Sequence, residues 1–228
     1  RFWSHDYVRI AFPADAVPGY GYRLYTIRQQ DAPPAPVKAW LSGKFGGAPA
    51  NKILERDTTD IALENEFVKV QLDPATGGIA SFVCKTGGVD LIAPGDAAGF
   101  EFAVERPHGM SAWALMDTDD VQPLKVAGIA REHLGPHVAS ARVQLKIRDS
   151  AFTVIYELRA GDPQIHIRIK GTWVERGSPQ TGVPVLRWRL PAALENIRAR
   201  YDIPFGSIER PHRNCRVRWT GKRRAWCW

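Results

Sequence analysis

Apolar and polar residues alternate along much of this chain, which is the pattern of half-buried β-strands. The clearest example spans residues 68–83. Two runs within it each place three side chains on one face of an extended chain: Val68, Val70 and Leu72, then Ile79, Ser81 and Val83. Asp73-Pro74 favours a turn between the runs, and Gly77-Gly78 supplies positive-φ positions that reverse the chain. Residues 68–83 are therefore predicted to form an antiparallel β-hairpin.

Further alternating segments follow this hairpin at the spacing of an antiparallel sheet. They lie at residues 99–105, 142–147, 152–158, 165–169 and 185–190. Short turns at 148–150 and 160–163 connect three of them, which predicts a meander with one face on a core and the other in solvent. Because no segment between residues 60 and 210 has the period of an amphipathic helix, the predicted fold class is all-β, a large antiparallel β-sandwich.

The first 60 residues are predicted to lead into the sandwich. Residues 7–12 form one candidate strand, and the aromatic segment 20–27, which follows a Pro18-Gly19 turn, is predicted to be another. Residues 31–51 are rich in proline and glycine and indicate an exposed linker. The predicted division is a lead-in strand and linker (1–60), a sandwich domain incomplete at its C-terminus (61–211) and a basic tail (212–228).

Charge separates the tail from the rest of the chain. Residues 211–228 contain six arginines and lysines and no acidic residue, so they carry most of the formal net charge of +7. Their crowding of Arg, Trp and Cys is unlike the preceding composition and indicates a reading-frame shift, with a genuine basic tail as the alternative. The body of the protein is close to neutral, so no nucleic-acid partner is expected.

The ends and the apolar content of the chain also bear on its class. It begins with Arg1, and its only methionines are Met110 and Met116, so we expect a piece of a longer protein. No apolar run reaches the roughly 18 residues of a membrane-spanning helix, so no membrane partner is expected. A cytoplasmic location is expected.

No metal site is predicted in this chain. Its three cysteines lack the regular spacing of a disulfide framework or a zinc site. His133 and His137 have the i, i+4 spacing that places two ligands on one face of a helix. Gly135-Pro136 lies between them and prevents a helix, so this pair is not interpreted as a metal site. His166 alternates with isoleucines and is interpreted as a solvent-facing strand residue.

Five groups of motifs along the chain carry a family resemblance. They are Leu63-Glu64-Asn65-Glu66-Phe67, Gly135-Pro136 with Arg142-Val143, Tyr156-Glu157-Leu158 with Gly161-Asp162-Pro163, Trp173-Val174-Glu175, and Tyr201-Asp202-Ile203-Pro204-Phe205-Gly206-Ser207-Ile208-Glu209-Arg210-Pro211. In this order they resemble the C-terminal β-domain of family 38 glycoside hydrolases, the α-mannosidases. The last motif is the most specific. The resemblance extends from about residue 7 to residue 211 and ends abruptly there.

The resemblance implies a galactose-mutarotase-like sandwich in an enzyme that hydrolyses terminal α-linked mannose with retention. It places the nucleophile, the acid and the ligands of a divalent metal, usually zinc, in an upstream catalytic barrel of the same polypeptide. That barrel is absent from this chain, which is therefore expected to have no catalytic residue and no cofactor of its own. The expected partners are the barrel and an α-mannoside. The alternative is a stand-alone carbohydrate-binding or interaction module that uses the eight tryptophans as sugar platforms.

The irregular segment after residue 105 contains the best candidate site. Pro107 prevents the strand from continuing, and Arg106, His108 and Trp113 would then face the catalytic barrel or its sugar. Trp113 would stack on a sugar ring, while Arg106 or His108 would bond to hydroxyls. The alternative is an ordinary loop whose tryptophan packs on the sandwich edge. Arg210 is a further candidate for substrate binding, with a packed turn set by Pro204 and Gly206 as the alternative.

Overall fold

The computed structural model describes residues 12, 14, 16–27, 39–42, 61–110, 116–193 and 198–211. This part of the chain contains no helix, and its strand pairs are antiparallel. The strands are Ala39–Ser42 (β1), Ile61–Asn65 (β2), Val68–Leu72 (β3), Ile79–Cys84 (β4), Val89–Asp90 (β5), Gly99–Glu105 (β6), Thr118–Pro123 (β7), Lys125–Leu134 (β8), Val138–Ile147 (β9), Ser150–Arg159 (β10), Ile165–Thr172 (β11), Val183–Arg189 (β12), Arg198–Ile203 (β13) and Gly206–Pro211 (β14). The predicted all-β antiparallel fold is confirmed.

The strands form four sheets in two compact units. The first unit, residues 1–192, contains a five-stranded sheet (β1-β2-β3-β4-β5), a four-stranded sheet (β11-β10-β9-β8) and a three-stranded sheet (β12-β6-β7). The second unit, residues 193–228, contains the β13–β14 hairpin among its described residues. The predicted meander is present, since β9, β10 and β11 pair in sequence order.

One hydrophobic core joins the five- and four-stranded sheets. The alternation predicted for β9 and β10 places their aliphatic residues on the core face, as the cross-strand pair Val143 and Val154 shows. Its fully buried large side chains include Leu63, Val70, Leu72, Val143, Leu145, Val154, Tyr156 and Leu158. Burying each such aliphatic side chain contributes roughly 1.5–3 kcal/mol, so this layer is the main source of stability in the unit.

Asn65 makes four hydrogen bonds, two of which connect the five-stranded sheet to the end of β10 in the four-stranded sheet. This set of bonds is called the Asn65 clamp below. Asn65 Nδ2 donates to the carbonyl oxygens of Arg159 and Asp162, at 2.8 and 2.7 Å. Its Oδ1 accepts from the backbone amides of Phe67 and Val68, at 3.0 and 2.9 Å. The residue is fully buried, and all four of its amide bonding positions are used. The turn between β2 and β3 is thereby fixed against the turn after β10.

The predicted hairpin at residues 68–83 forms, with two corrections. The register shifts between Gln71 and Leu72, so that Leu72 pairs with Ile79 while Gln71 pairs with Ser81. Because this shift changes which residues share a face, Phe82, and not Ser81 or Val83, packs on the core. An alternation count cannot detect an extra residue in one strand.

The turn of this hairpin uses its two glycines differently from the prediction. Gly77 has φ of 68°, and a Cβ there would lie 2.6 Å from Val143 Cγ1. Gly78 does not take a positive φ. It is instead required by close packing, since a Cβ would lie 2.3 Å from the carbonyl oxygen of Ala98. Asp73 holds the turn by accepting a 2.6 Å hydrogen bond from Thr76 Oγ1.

The N-terminal predictions need correction where the structure describes this region. Pro18 accepts the turn hydrogen bond from the Gly21 amide at 3.1 Å, as the Pro-Gly signal predicts. The predicted strand at 20–27 is absent. An aromatic pattern favours a strand only where a second strand is available for hydrogen bonding, and no described strand pairs with this segment. The predicted linker contains β1, which pairs with β2 and is too short to show alternation. Residues 7–11 of the first candidate strand lie outside the described residues.

The turn between β13 and β14 consists of Pro204 and Phe205, since Ile203 pairs with Gly206. Phe205 takes the positive φ, at 67°, in the second turn position. This position favours glycine, yet the nearby Gly206 does not occupy it and lies in β14 instead. Pro204 sets the turn as predicted, whereas Gly206 does not.

Candidate functional site

The four predicted site residues are described to different extents. Arg106 and His108 lie in the described segment directly after β6. Trp113 lies outside the described residues. Arg210 is a β14 residue that pairs with Ala199, and its side chain also lies outside the described part. Arg106 and His108 thus lie in one segment but bond to different partners, and the substrate-binding roles of all four residues stay predictions.

Arg106 is held by Asp119 of β7 and by Asp117, which directly precedes that strand. Its Nε and Nη2 donate to the two carboxylate oxygens of Asp119 at 2.5 and 2.8 Å, which is a bidentate pair. Asp117 adds an ion pair at 3.8 Å, and its carbonyl oxygen accepts from the Arg106 amide at 3.0 Å. The hydrogen bond from Arg106 lowers the pKa of the Asp119 carboxyl. The guanidinium stays over half exposed, so it remains accessible while oriented.

His108 and the buried carboxylate of Glu105 form a hydrogen-bonded pair at the end of β6, called the Glu105–His108 lock below. The Nε2 of His108 lies 2.6 Å from Glu105 Oε1, and its Nδ1 accepts from the Met110 amide at 3.1 Å. Since Nδ1 accepts, Nε2 carries the proton and donates to Glu105. The Met116 amide also donates to Glu105 Oε1, at 2.7 Å. Both ring nitrogens of His108 are thus occupied by protein groups.

The buried carboxylate of Glu105 is stabilised in its charged form by these donors. Burial is the largest influence on its pKa and raises it, because a charge is poorly solvated inside the protein. The hydrogen bonds from His108 and from the Met116 amide outweigh burial, so the net effect is a lowered pKa. Glu105 therefore connects His108 with the Met116 amide.

A cleft of about 500 Å³ opens beside this lock, across the end of the three-stranded sheet. Pro184, Val104 and Asp119 form one cross-strand row from β12 through β6 to β7, and all three line the cleft. Arg106, Arg148 and Arg176 reach it from three separate segments. A cleft of this size is large enough for one or two sugar rings, since ligand sites span roughly 300–1,000 Å³.

Arg148 organises the far wall of the cleft. It lies in the turn between β9 and β10, with Nη2 3.0 Å from Asp120 Oδ2 and Nη1 3.7 Å from Glu175 Oε2. Its guanidinium carbon is also 4.4 Å from the ring centroid of Phe102. Arg148 and Asp120 both have positive φ, at 48° and 51°. An ion pair between two left-handed residues fixes this wall, since such backbones persist only where the surroundings hold them.

A second depression, of about 490 Å³, is lined by Asp73, Asp96, Phe100 and Arg189, among other residues. The charged groups among them are already bonded within the protein. Arg189 makes a bidentate pair with Asp96 at 2.7 and 2.9 Å, and hydrogen bonding to Arg189 lowers the pKa of Asp96. Asp73 is used by the hairpin turn. This depression resembles the first in size, and every charged group named here already has a partner.

Sequence reasoning missed most of the cleft. Asp119, Asp120, Arg148 and Arg176 were not singled out, because they come from a strand, a turn and a loop that only the tertiary fold brings together. Residues 117–120 contain three aspartates within four positions, which was the available local signal. It gave no indication of the arginines that would face them.

Neither a metal-binding cluster nor a membrane-spanning helix occurs in the described ranges. Within them, no group of three or more His, Cys, Asp and Glu side chains could hold a metal ion. His133 lies in β8 and pairs with Ser140, away from any helix. A helix long and apolar enough to cross a membrane is likewise not found among the described residues.

Comparison with known proteins gives two kinds of match. The sequence profile of the glycosyl hydrolases family 38 C-terminal domain matches residues 63–224. Alpha-mannosidase 2C1 of Mus musculus is 28% identical over 205 residues, which cover 86% of this chain and 19% of that protein. Alpha-mannosidase 2C1 of Homo sapiens is 28% identical over 222 residues, which cover 93% of this chain and 20% of that protein. The chain thus spans about a fifth of the length of these relatives.

Proposed function

Because the chain belongs to glycosyl hydrolase family 38, as its C-terminal domain, we propose that it serves an α-mannosidase that hydrolyses terminal α-linked mannose with retention. The family resemblance read from the motifs is confirmed. The observation that carries the proposal is the family match, which covers most of the chain from Leu63 onward. The domain boundaries at residues 60 and 211 and the origin of the tail stay predictions.

The catalytic groups of such an enzyme are proposed to lie in a separate upstream barrel of the same polypeptide. A retaining glycosidase needs two carboxylates about 5–5.5 Å apart, one as nucleophile and one as acid. In the described residues the carboxylates of the main cleft are bound to arginines, which favours a structural or binding role over acid catalysis. A divalent metal, zinc by expectation, would be held by the barrel and not by this domain.

This domain would then act by supporting the barrel and by presenting the segment 106–116 to it. The support for this role is the Glu105–His108 lock, in which Glu105 is hydrogen-bonded both to His108 and to the Met116 amide. Arg106 and Trp113 are proposed to face the α-mannoside. Arg210 is proposed to do so as well. A cytoplasmic location remains a prediction.

The 228-residue chain provides the direct test. We expect no hydrolysis of a chromogenic α-mannoside, with or without added zinc, because the proposal places every catalytic group elsewhere. Activity above that of an empty-vector preparation would refute the division of labour. Reading the flanking DNA in all frames is the companion measurement, with an upstream family 38 catalytic domain as the expected result. A complete, isolated reading frame would contradict the proposal and favour a stand-alone module.

A further inference from the structure

We propose that the 500 Å³ cleft binds a hexopyranose residue of a glycan through hydroxyl groups held between arginines and aspartates. This site would belong to the β-domain itself. The inference rests on the proposed function only for the choice of mannose as the first sugar to test. Its physical basis is the charge balance, the apolar floor and the available donor groups of the cleft.

The charges around the cleft favour a neutral ligand. Three arginines and two aspartates line the cleft, and Asp117 and Glu175 form ion pairs with two of those arginines. The surrounding charged groups are Arg106, Arg148, Arg176, Asp117, Asp119, Asp120 and Glu175. Because positive and negative groups are interleaved and nearly balance, an anion such as phosphate would meet carboxylates as well as guanidinium groups. A polyol suits the arrangement better, since each hydroxyl can donate to a carboxylate and accept from a guanidinium.

The floor of the cleft complements the other surface of a sugar. Val104, Pro107 and Pro184 line it and offer apolar atoms without hydrogen-bonding demands of their own. A pyranose ring has a C–H face and an edge of hydroxyls. The ring could therefore pack its C–H face on these three apolar side chains while its hydroxyls reach the flanking charged groups.

Arg176 provides the donor that the other arginines lack. Arg106 and Arg148 are committed to aspartates, whereas no hydrogen bond or ion pair to the described residues involves the Arg176 guanidinium. The loop that carries it is fixed nearby. Ser178 and Gly182 exchange backbone hydrogen bonds at 3.1 and 2.9 Å, so the loop would lose little entropy on binding. Arg176 is consequently the residue whose substitution tests binding with the least effect on folding.

The experiment is an NMR titration of the ¹⁵N-labelled 228-residue chain with methyl α-D-mannopyranoside and an α-linked mannobiose. We expect saturable shifts that include the amides of Asp120 and Gly182. Arg176→Gln should weaken binding by about tenfold, which is the loss of one charge-assisted hydrogen bond. Asp119→Asn should weaken it by a similar factor. Lys170→Gln, an exposed substitution on β11, and Asp96→Asn, in the other depression, should leave it unchanged.

Each other outcome overturns the inference. Absence of saturable shifts with either sugar does so, as does binding that survives the Arg176→Gln and Asp119→Asn variants. Titration with inorganic phosphate is the remaining arm, and tighter binding of phosphate at the same amides would contradict the neutral-ligand argument. The result is separable from the mannosidase proposal, because binding by this chain is measured without hydrolysis, and hydrolysis is measured without regard to this cleft.

Discussion

The four-stranded sheet and the cleft of the three-stranded sheet both use ion pairs, but they place them in different ways. In the four-stranded sheet, Glu157 lies between Arg159 and Arg168, and all three come from adjacent strands whose register is set by the buried face. In the cleft, Arg148 reaches Asp120 from a turn 28 residues away along the chain. The first set of pairs follows from the packing of the core, whereas the second set joins separate segments.

This difference predicts that the two regions contribute differently to stability. The ion pairs of the buried Glu157 accompany a regular hydrophobic core, which supplies most of the stability of the unit. In the cleft pairs Arg106–Asp119 and Arg148–Asp120 the side chains are about half exposed, and such pairs contribute little to stability. Substitutions should therefore separate the two regions by their effect on unfolding.

The largest effect is expected from Tyr156, at the centre of the four-stranded sheet. It is fully buried, and its hydroxyl donates to the Gly77 carbonyl oxygen at 2.9 Å. Tyr156→Ala should lower the free energy of unfolding by about 3–5 kcal/mol, measured by urea denaturation. Tyr156→Phe, which keeps the ring, should lose only about 1 kcal/mol. Equal losses in the two variants would show that the hydroxyl, and not packing, dominates.

The next effect is expected at Asn65, which links the two sheets. Asn65→Ala removes four hydrogen bonds and leaves buried backbone groups unsatisfied, so about 2–4 kcal/mol of unfolding free energy should be lost. Asn65→Asp retains the two acceptor bonds and replaces the donor with a charge facing carbonyl oxygens. If Asn65→Ala unfolds at the same urea concentration as the unmodified chain, the clamp is not stabilising.

A pH dependence should distinguish the lock beside the cleft from the sheet. The pKa of Glu105 is lowered in the folded chain, so its charged form stabilises folding above the ordinary value of 4.5. This contribution is lost as pH falls through the lowered, folded-state pKa. Glu105→Gln should therefore be less stable than the unmodified chain at neutral pH, and the gap should narrow on acidification. Urea midpoints from pH 7 downward measure it, and a gap independent of pH would contradict the assignment.

The smallest effect is expected at Arg106, on the cleft rim. Arg106→Gln breaks an exposed bidentate pair with Asp119, and the Tm should change little, because solvent screens an ion pair at the surface. Calorimetric Tm is the measurement, with Arg189→Gln as the matched control for a similarly exposed bidentate pair. A fall comparable with that of Tyr156→Ala would place Arg106 in the stabilising framework and remove the contrast between the regions.

The regular sheets were predictable because their signal is local. Alternation in β9 and β10 and the turn residues between them indicate the fold without knowledge of the partner strands. The register shift at Leu72, the strand β1 and the lack of a strand at 20–27 were not predictable in the same way. Each depends on contacts with another strand, which the local pattern does not show. Arg106 and His108 were singled out as candidates because an irregular segment follows a clear strand. Arg148 and Arg176 were missed because their proximity exists only in the folded chain.

The Asn65 clamp has a consequence for how the chain emerges from the ribosome. Two of its bonds join residues 94 and 97 positions apart, so the β2–β3 hairpin can be complete in sequence long before its fastening partners exist. Until residue 162 has been synthesised and has left the exit tunnel, that hairpin cannot form the hydrogen bonds that connect it to the four-stranded sheet. Slow elongation between residues 68 and 162 would lengthen this interval and the exposure of apolar strands to aggregation. A chaperone acting on the nascent protein would be needed most during that interval.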